Sequence, residues 1–233
     1  MDKLLVLTGG SRGIGAATLA RFRNEGWRCI NLSRNNCDPV MATQLTCDFS
    51  EPEWPVNHAD ALRELVGEPD QICLVHNAAL LLKDNVHDAA YDLGRVMQIN
   101  LVAPQQLNEL LVPQMSEGSS ILYVGSTLSE KAVANTLSYS VSKHALLGLM
   151  RATCQDLAGT GIHSACICPG FTDTEMLRDH VGRDEAILQV LGSSDAFGRL
   201  VQPQEIAETL LFAANNPAIN GATLHVNLGQ IEH

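Results

Sequence analysis

Hydrophobic residues along this chain fall into short continuous runs that alternate with longer segments in which apolar positions recur every three or four residues. A short apolar run without polar alternation suits a strand buried on both faces, and such strands belong to a parallel sheet covered by helices on each side. The runs predict strands at Lys3–Thr8, Arg28–Ser33, Ala42–Cys47, Gln71–His76, Ser120–Gly125, His163–Cys168 and Thr223–Val226. Helices are predicted at Gly13–Glu25, His58–Val66, Ala89–Gln114, Tyr139–Leu157, Thr174–Leu191 and Pro203–Ala214, several of them stopped by Gly or Pro. The alternation reads as an α/β fold with one doubly wound parallel sheet of about seven strands.

No Ser/Gly/Pro-rich linker, repeat or low-complexity tract divides the chain, so residues 1–233 are expected to form one domain. The stretch Phe171–Gln202, rich in charge and poor in β-branched residues, reads as an insertion between strand and helix, and we expect it to act as a substrate lid. A net charge of −11, from 26 acidic and 15 basic residues, argues against surfaces built for nucleic acid or an anionic membrane and leaves a small molecule as the expected partner. No apolar run approaches the roughly 20 residues a bilayer crossing needs. The start Met-Asp-Lys leads at once into the strand-like LLVLTGG rather than a signal peptide, which predicts a cytoplasmic protein. The seven cysteines are odd in number, form no CxxC pair and often sit in apolar runs, as buried thiols in a reducing compartment would. Eight histidines without HxxxH or HxH spacing give no sign of a metal site.

Candidate chemistry begins at the first strand. It runs through Thr8-Gly9-Gly10-Ser11-Arg12-Gly13-Ile14-Gly15 into an Ala/Leu-rich helix. Glycines let the backbone turn tightly and approach a pyrophosphate, whose charge rests on free N–H groups at the helix start. Gly9, Ser11, Arg12, Gly13, Ile14 and Gly15 are therefore candidate cofactor contacts, and the strand–turn–helix context makes the expected fold a single-domain Rossmann type. At the end of the second strand, where enzymes using NAD(H) place an acid on the ribose, this chain has Ser33-Arg34. A guanidinium holds a 2′-phosphate where a carboxylate repels it, so NADP(H) is favoured over NAD(H), with Arg12 adding a second charge. Two solvated surface arginines are the alternative; their coincidence at these places favours the phosphate.

Tyr139 and Lys143 stand four apart at the start of a predicted helix and so share a face. A phenol is a poor proton donor and acceptor near neutrality, and a neighbouring ammonium favours its phenolate. Ser126 lies 13 residues before Tyr139, at the carboxyl end of a predicted strand, which is the ligand-binding edge of an open parallel sheet.

With these motifs in place, nearly the whole chain resembles a classical short-chain dehydrogenase/reductase. The turn from Thr8 to Gly15 matches the family's cofactor turn, Asp48 its adenine-side acid, and Asn77-Ala78-Ala79 its Asn-Ala-Gly turn. Asn100, Ser126, Tyr139 and Lys143 match its catalytic tetrad in order and spacing, and Pro169-Gly170 with Thr172 and Thr174 matches the segment that holds the nicotinamide. The resemblance implies hydride transfer between nicotinamide and a small carbonyl or secondary alcohol. Tyr139 would be the proton donor or acceptor and Ser126 would position the oxygen. Lys143 would hold the ribose and lower the tyrosine pKa, and Asn100 would support a water-linked proton path. It also implies a homodimer or homotetramer built on the helices at Ala89–Gln114 and Tyr139–Leu157. Pro104, four residues after Asn100, has no N–H to give the Asn100 carbonyl, which leaves that carbonyl open to a relay water if the helix continues, or else marks a plain kink.

The chain departs from the family pattern in three places: Ala79 replaces a glycine, Asn227-Leu228-Gly229 replaces Asp-Gly-Gly, and the short span from Arg34 to Asp48 leaves little room for a helix. A 3-oxoacyl-[acyl carrier protein] reductase is the alternative enzyme, suggested by the tail Gly221–Asn227. Glu117 and Thr160, however, stand where such reductases present arginines to the acidic carrier. A non-catalytic NADP-binding sensor or scaffold is the alternative of another class; such proteins typically lose the tyrosine or lysine that this chain keeps.

Overall fold

Strands of alternating outlook and helices on either side give this chain its layers. The structure, a computed structural model, describes residues 1–88 and 90–230. Ala89, the expected start of the third helix, and residues 231–233 of the expected domain lie outside the described residues. The elements run β1 (Lys3–Thr8), α1 (Gly13–Asn24), β2 (Arg28–Ser33), β3 (Thr43–Thr46), α2 (Trp54–Val66), β4 (Gln71–His76) and α3 (Ala90–Met97). They continue with α4 (Ala103–Leu111), β5 (Ser120–Val124), α5 (Leu137–Asp156), β6 (His163–Pro169), α6 (Glu175–His180), α7 (Glu185–Gly192), α8 (Pro203–Ala214) and β7 (Thr223–Val226). All seven strands are parallel in the order β3-β2-β1-β4-β5-β6-β7. The order reverses between β1 and β4, so a crevice opens there at the carboxyl ends of the strands.

Successive strand residues point to opposite faces, and both faces are buried. Leu4, Val6, Ile72, Leu74, Ile121 and Tyr123 meet Trp54, Leu62, Leu107 and Met150 of α2, α4 and α5. Leu5, Leu7, Cys73, Val75, Leu122 and Ile167 meet Leu19, Phe22, Ile206 and Leu210 of α1 and α8. Five of the seven cysteines belong to these two cores, where they pack as small apolar groups. Among the described residues no helix is long and apolar enough to cross a membrane.

Three helix expectations need correction. The second helix starts at Trp54, not His58: Pro55 looks like a breaker but occupies the first turn, where a missing N–H costs nothing. Trp54 anchors that start, fully buried, with its Nε1 donating to Gln106 Oε1 at 2.9 Å. The single helix expected over Thr174–Leu191 is two, because Gly182 and Arg183 adopt left-handed φ of 71° and 58° and Asp184 then caps α7 through the N–H groups of Ala186 and Ile187. The helix expected to run to Gln114 does continue, but widens to a π-turn over Gln98–Val102 before α4 and tightens to a 3₁₀ turn over Val112–Gln114 after it. Between β2 and β3 no helix forms among the described residues, as the short span requires. At the replaced Asp-Gly-Gly, Leu228 adopts φ 54°, a conformation that a branched side chain resists.

Candidate active site

The crevice is held open by a reciprocal clamp between β1 and β4. Thr8 Oγ1 accepts the N–H groups of Asn77 and Ala78, each at 3.0 Å, while Asn77 Nδ2 donates to the carbonyls of Thr8 and Gly9, each at 3.0 Å. The Gly-rich turn bends against this clamp. Gly9 has φ 76°, and a Cβ there would sit 3.0 Å from Ala78 Cα; a Cβ on Gly15 would collide with the Gly9 carbonyl. No side chain caps the first turn of α1, so its N–H groups face a cradle made of backbone. A pyrophosphate fits such a cradle, and a larger residue in the turn would fill it.

One cavity of about 490 Å³ joins this turn to the ends of β2, β4, β5 and β6. It is lined by Gly9, Ser11, Arg12, Gly13 and Ile14 of the turn, and by Ser33, Arg34 and Asp48 beyond β2 and β3. Asn77, Ala78 and Ala79 also line it, as do Pro169, Gly170, Thr172 and Thr174. Gly15 and Asn100 are not among its lining residues. Ser33 lines the cavity with its hydroxyl already engaged, accepting from Asn31 Nδ2 at 2.9 Å and donating to the Asn35 carbonyl at 2.7 Å. Arg34 is exposed, its Nη1 4.0 Å from Asp48 Oδ2. Burial pushes the Asp48 carboxyl up, but hydrogen bonds from the Ser50 N–H and hydroxyl, with the charges of Arg34 and Arg95, hold it below its ordinary value. Thr174 caps α6 by accepting the Leu177 N–H at 3.3 Å.

Ser126, Tyr139 and Lys143 meet at the carboxyl end of β5. Ser126 begins a 3₁₀ turn over Thr127–Ser129; its Oγ accepts the Leu128 N–H at 3.1 Å, and it lines the same cavity as Tyr139. The Lys143 ammonium lies 5.4 Å from the Tyr139 ring centroid and donates to the Val124 carbonyl at 2.7 Å. The expected lowering of the phenol by this ammonium is not what dominates: burial pushes the Tyr139 phenol up to about 12, against the lowering effect of the Ser126 hydroxyl, and burial brings Lys143 down to about 8. A phenol beside a serine hydroxyl at the ligand edge of the sheet can deliver a proton to an oxygen bound there.

Asn100 stands behind this group as a clamp. Its side chain is buried; Oδ1 accepts the Leu80 N–H at 2.7 Å, and Nδ2 donates to the Leu80 carbonyl at 3.0 Å and to Ser142 Oγ at 2.9 Å. It sits in the π-turn, where the Ala103 N–H reaches back five residues to the Gln98 carbonyl just before Pro104. The helix thus continues through the proline, which has no N–H for the Asn100 carbonyl.

One residue of this machinery had no sequence signal. Asp84 is buried, and its carboxylate accepts the Ser138 N–H at 3.1 Å, one residue before Tyr139, while its backbone pairs with Asn135 and Leu137. Thr136, the residue at the helix start, makes no side-chain cap, so this carboxylate caps α5 from a distant loop. In the sequence Asp84 is an isolated acid after Leu80-Leu81-Leu82-Lys83, and only a helix start placed at Leu137 would have prompted a search for its cap.

Comparison with known proteins agrees with this geometry. Residues 9–230 match the family model described as enoyl-(acyl carrier protein) reductase. Carbonyl reductase family member 4 from Danio rerio is 29% identical over 241 residues, covering 98% of each chain. Acetoacetyl-CoA reductase from Rhizobium meliloti is 29% identical over 244 residues, covering 99% of each. The crystal structure of a blue fluorescent protein from a metagenomic library, in complex with NADPH, superposes with a TM-score of 0.86 at 28% identity, covering 97% of each chain. A parallel sheet wound in this order, with its crevice at the glycine turn and a match along almost its whole length, makes the chain a member of the short-chain dehydrogenase/reductase family of nicotinamide-dependent oxidoreductases.

Proposed function

We propose that this protein is an NADP(H)-dependent oxidoreductase that interconverts a small carbonyl compound and its secondary alcohol. The observation that carries the reading is that Tyr139, Ser126 and Lys143 line one cavity at the ligand edge of the sheet, with the Lys143 ammonium 5.4 Å from the Tyr139 ring. When bound, the nicotinamide supplies or accepts the hydride. Tyr139 gives its proton to the carbonyl oxygen in reduction and takes it back in oxidation. Ser126 positions that oxygen, Lys143 holds the ribose hydroxyls as well as the charge beside the ring, and Asn100 supports the proton path from behind.

The turn residues Gly9, Ser11, Arg12, Gly13, Ile14 and Gly15 take the pyrophosphate, and Asp48 with Asn77, Ala78 and Ala79 flanks the adenosine side. Pro169, Gly170, Thr172 and Thr174 receive the nicotinamide. Arg34 and Arg12, both on the cavity wall, favour a 2′-phosphate. Residues 171–202 act as a lid whose ends meet: the Phe171 carbonyl accepts the Val201 N–H and the Val201 carbonyl accepts the Asp173 N–H, each at 2.9 Å. Val102 and Val141, exposed on the helices expected to pair, would be covered in a homodimer or homotetramer, and we place the protein in the cytoplasm.

An acyl carrier finds little to dock on. Glu117 packs against Gly161, beside Thr160, so the corner where arginines would be needed carries an acid. The direct test is NADPH oxidation across ketones, aldehydes, quinones, pterins and acyl thioesters, with parallel titrations of NADPH and NADH. Tyr139→Phe should lower turnover at least 100-fold. Unchanged turnover in that variant would remove the catalytic assignment, and equal or tighter binding of NADH would overturn the NADP preference.

A further inference from the structure

Resting on the carbonyl-reductase reading, we propose that the substrate is an aliphatic carbonyl compound held by burial of its hydrocarbon chain rather than by polar recognition. Leu128 and Val133, after Ser126, and Met176, Ile187 and Leu191 on the two helices of the 171–202 segment, with Val181 just after the first of them, line the same cavity as Tyr139. These six side chains form an apolar wall reaching from the catalytic phenol side into the lid.

Of the polar groups lining this cavity, the Gln230 amide oxygen is buried without a hydrogen-bond partner near Gly170, at the cofactor end, and those along the apolar wall are few. Thr136 Oγ1 donates to the Val133 carbonyl at 2.7 Å and sits 3.0 Å from Ser140 Oγ. Asp48 and Glu175 are the only carboxylates among the described lining residues. Asp48 lies with Ser50 and Arg34, and Glu175 Oε2 lies 3.8 Å from the Cβ position of Gly13, so both belong to the cofactor end. His180 is held below its ordinary value, chiefly by burial and then by the Lys83 charge. Lys131 also lines the cavity on this side. A polyol requires several converging donors and acceptors, carboxylates above all, and a wall of this composition offers a chain of methylenes more than it offers a sugar.

The experiment is a homologous series of straight-chain 2-ketones from butanone to 2-nonanone, run with NADPH beside glucose and beside a ketone of matched length ending in a carboxylate. Each buried methylene should raise kcat/KM about fourfold until the wall is covered, with glucose inactive. Ile187→Asn, at a position 43% exposed and so tolerant of change, should cut the ratio between the longest and shortest active ketones about fivefold. A melting temperature within about 2 °C of the parent confirms that the variant is folded. A flat series, or a preference for glucose or for the carboxylate-ended chain, overturns this inference alone. No oxidation of NADPH with any carbonyl overturns the carbonyl-reductase reading and this inference with it.

Discussion

Truncating Asn100 to alanine should cost stability as well as activity, because its side chain spans three groups that have no other partner of the same kind. The amide of this 2%-exposed residue accepts from the Leu80 N–H at 2.7 Å and donates to the Leu80 carbonyl at 3.0 Å and to Ser142 Oγ at 2.9 Å. At about 1 kcal/mol for each bond, Asn100→Ala should lose about 3 kcal/mol, with more where a group is left buried and unpaired. For a domain of this size that corresponds to a fall in melting temperature of about 6–12 °C, measured by circular dichroism. Ser142→Ala breaks only one of the three bonds and should lose about 1 kcal/mol. If Asn100→Ala melts within about 2 °C of the parent while turnover collapses, the clamp contributes nothing and Asn100 acts through the proton path alone.

Two further outcomes follow from buried charge. Lys143 releases its proton near pH 8 in the folded protein and at its ordinary 10.5 when unfolded, so between about pH 8 and 10 the unfolded chain binds the extra proton and stability rises with pH. The parent should gain about 1.4 kcal/mol per pH unit over that window relative to Lys143→Met in urea unfolding, and parallel curves would refute the burial of this lysine. Asp84→Ala leaves the Ser138 N–H without its carboxylate and should lower stability by about 2 kcal/mol, whereas Asp84→Asn, which keeps an acceptor, should lose about half of that. Equal losses in the two variants would show that packing, not the carboxylate, holds the start of α5.

The layers were legible because buried strands and amphipathic helices write themselves in periodicity. Lys3–Thr8, Arg28–Ser33, Gln71–His76 and Thr223–Val226 begin and end where the apolar runs do. The errors share a cause: local composition was overridden by position. A helix start at His58 stands until Trp54 is known to be buried, and Thr174–Leu191 reads as one helix until the left-handed pair Gly182-Arg183 turns it. In the site, residues that line the cavity from ordered turns were legible from spacing. The balance of pKa effects was not, because a sequence puts Lys143 near Tyr139 but does not say that Lys143 is buried and Tyr139 half-buried, and burial outweighs the charge.

What spacing alone could not supply is the set of side chains that turn remote residues into one rigid group. Thr8 and Asn77 lock the ends of β1 and β4. Asn100 ties Leu80, three residues further on, to Ser142, and Asp84 ties the end of the same loop to Ser138. The two anchor points on α5 bracket Tyr139, one just before it and one a turn after. Each anchor is a single buried amide or carboxylate gripping another segment's backbone or hydroxyl, so the loop and the helix cannot shift independently without unpairing a polar group in a dry interior. A proton donor must be placed to within a fraction of an ångström to be useful. The fold meets that demand with polar clamps at the strand ends, because the aliphatic core beneath resists compression but fixes no hydrogen-bond direction.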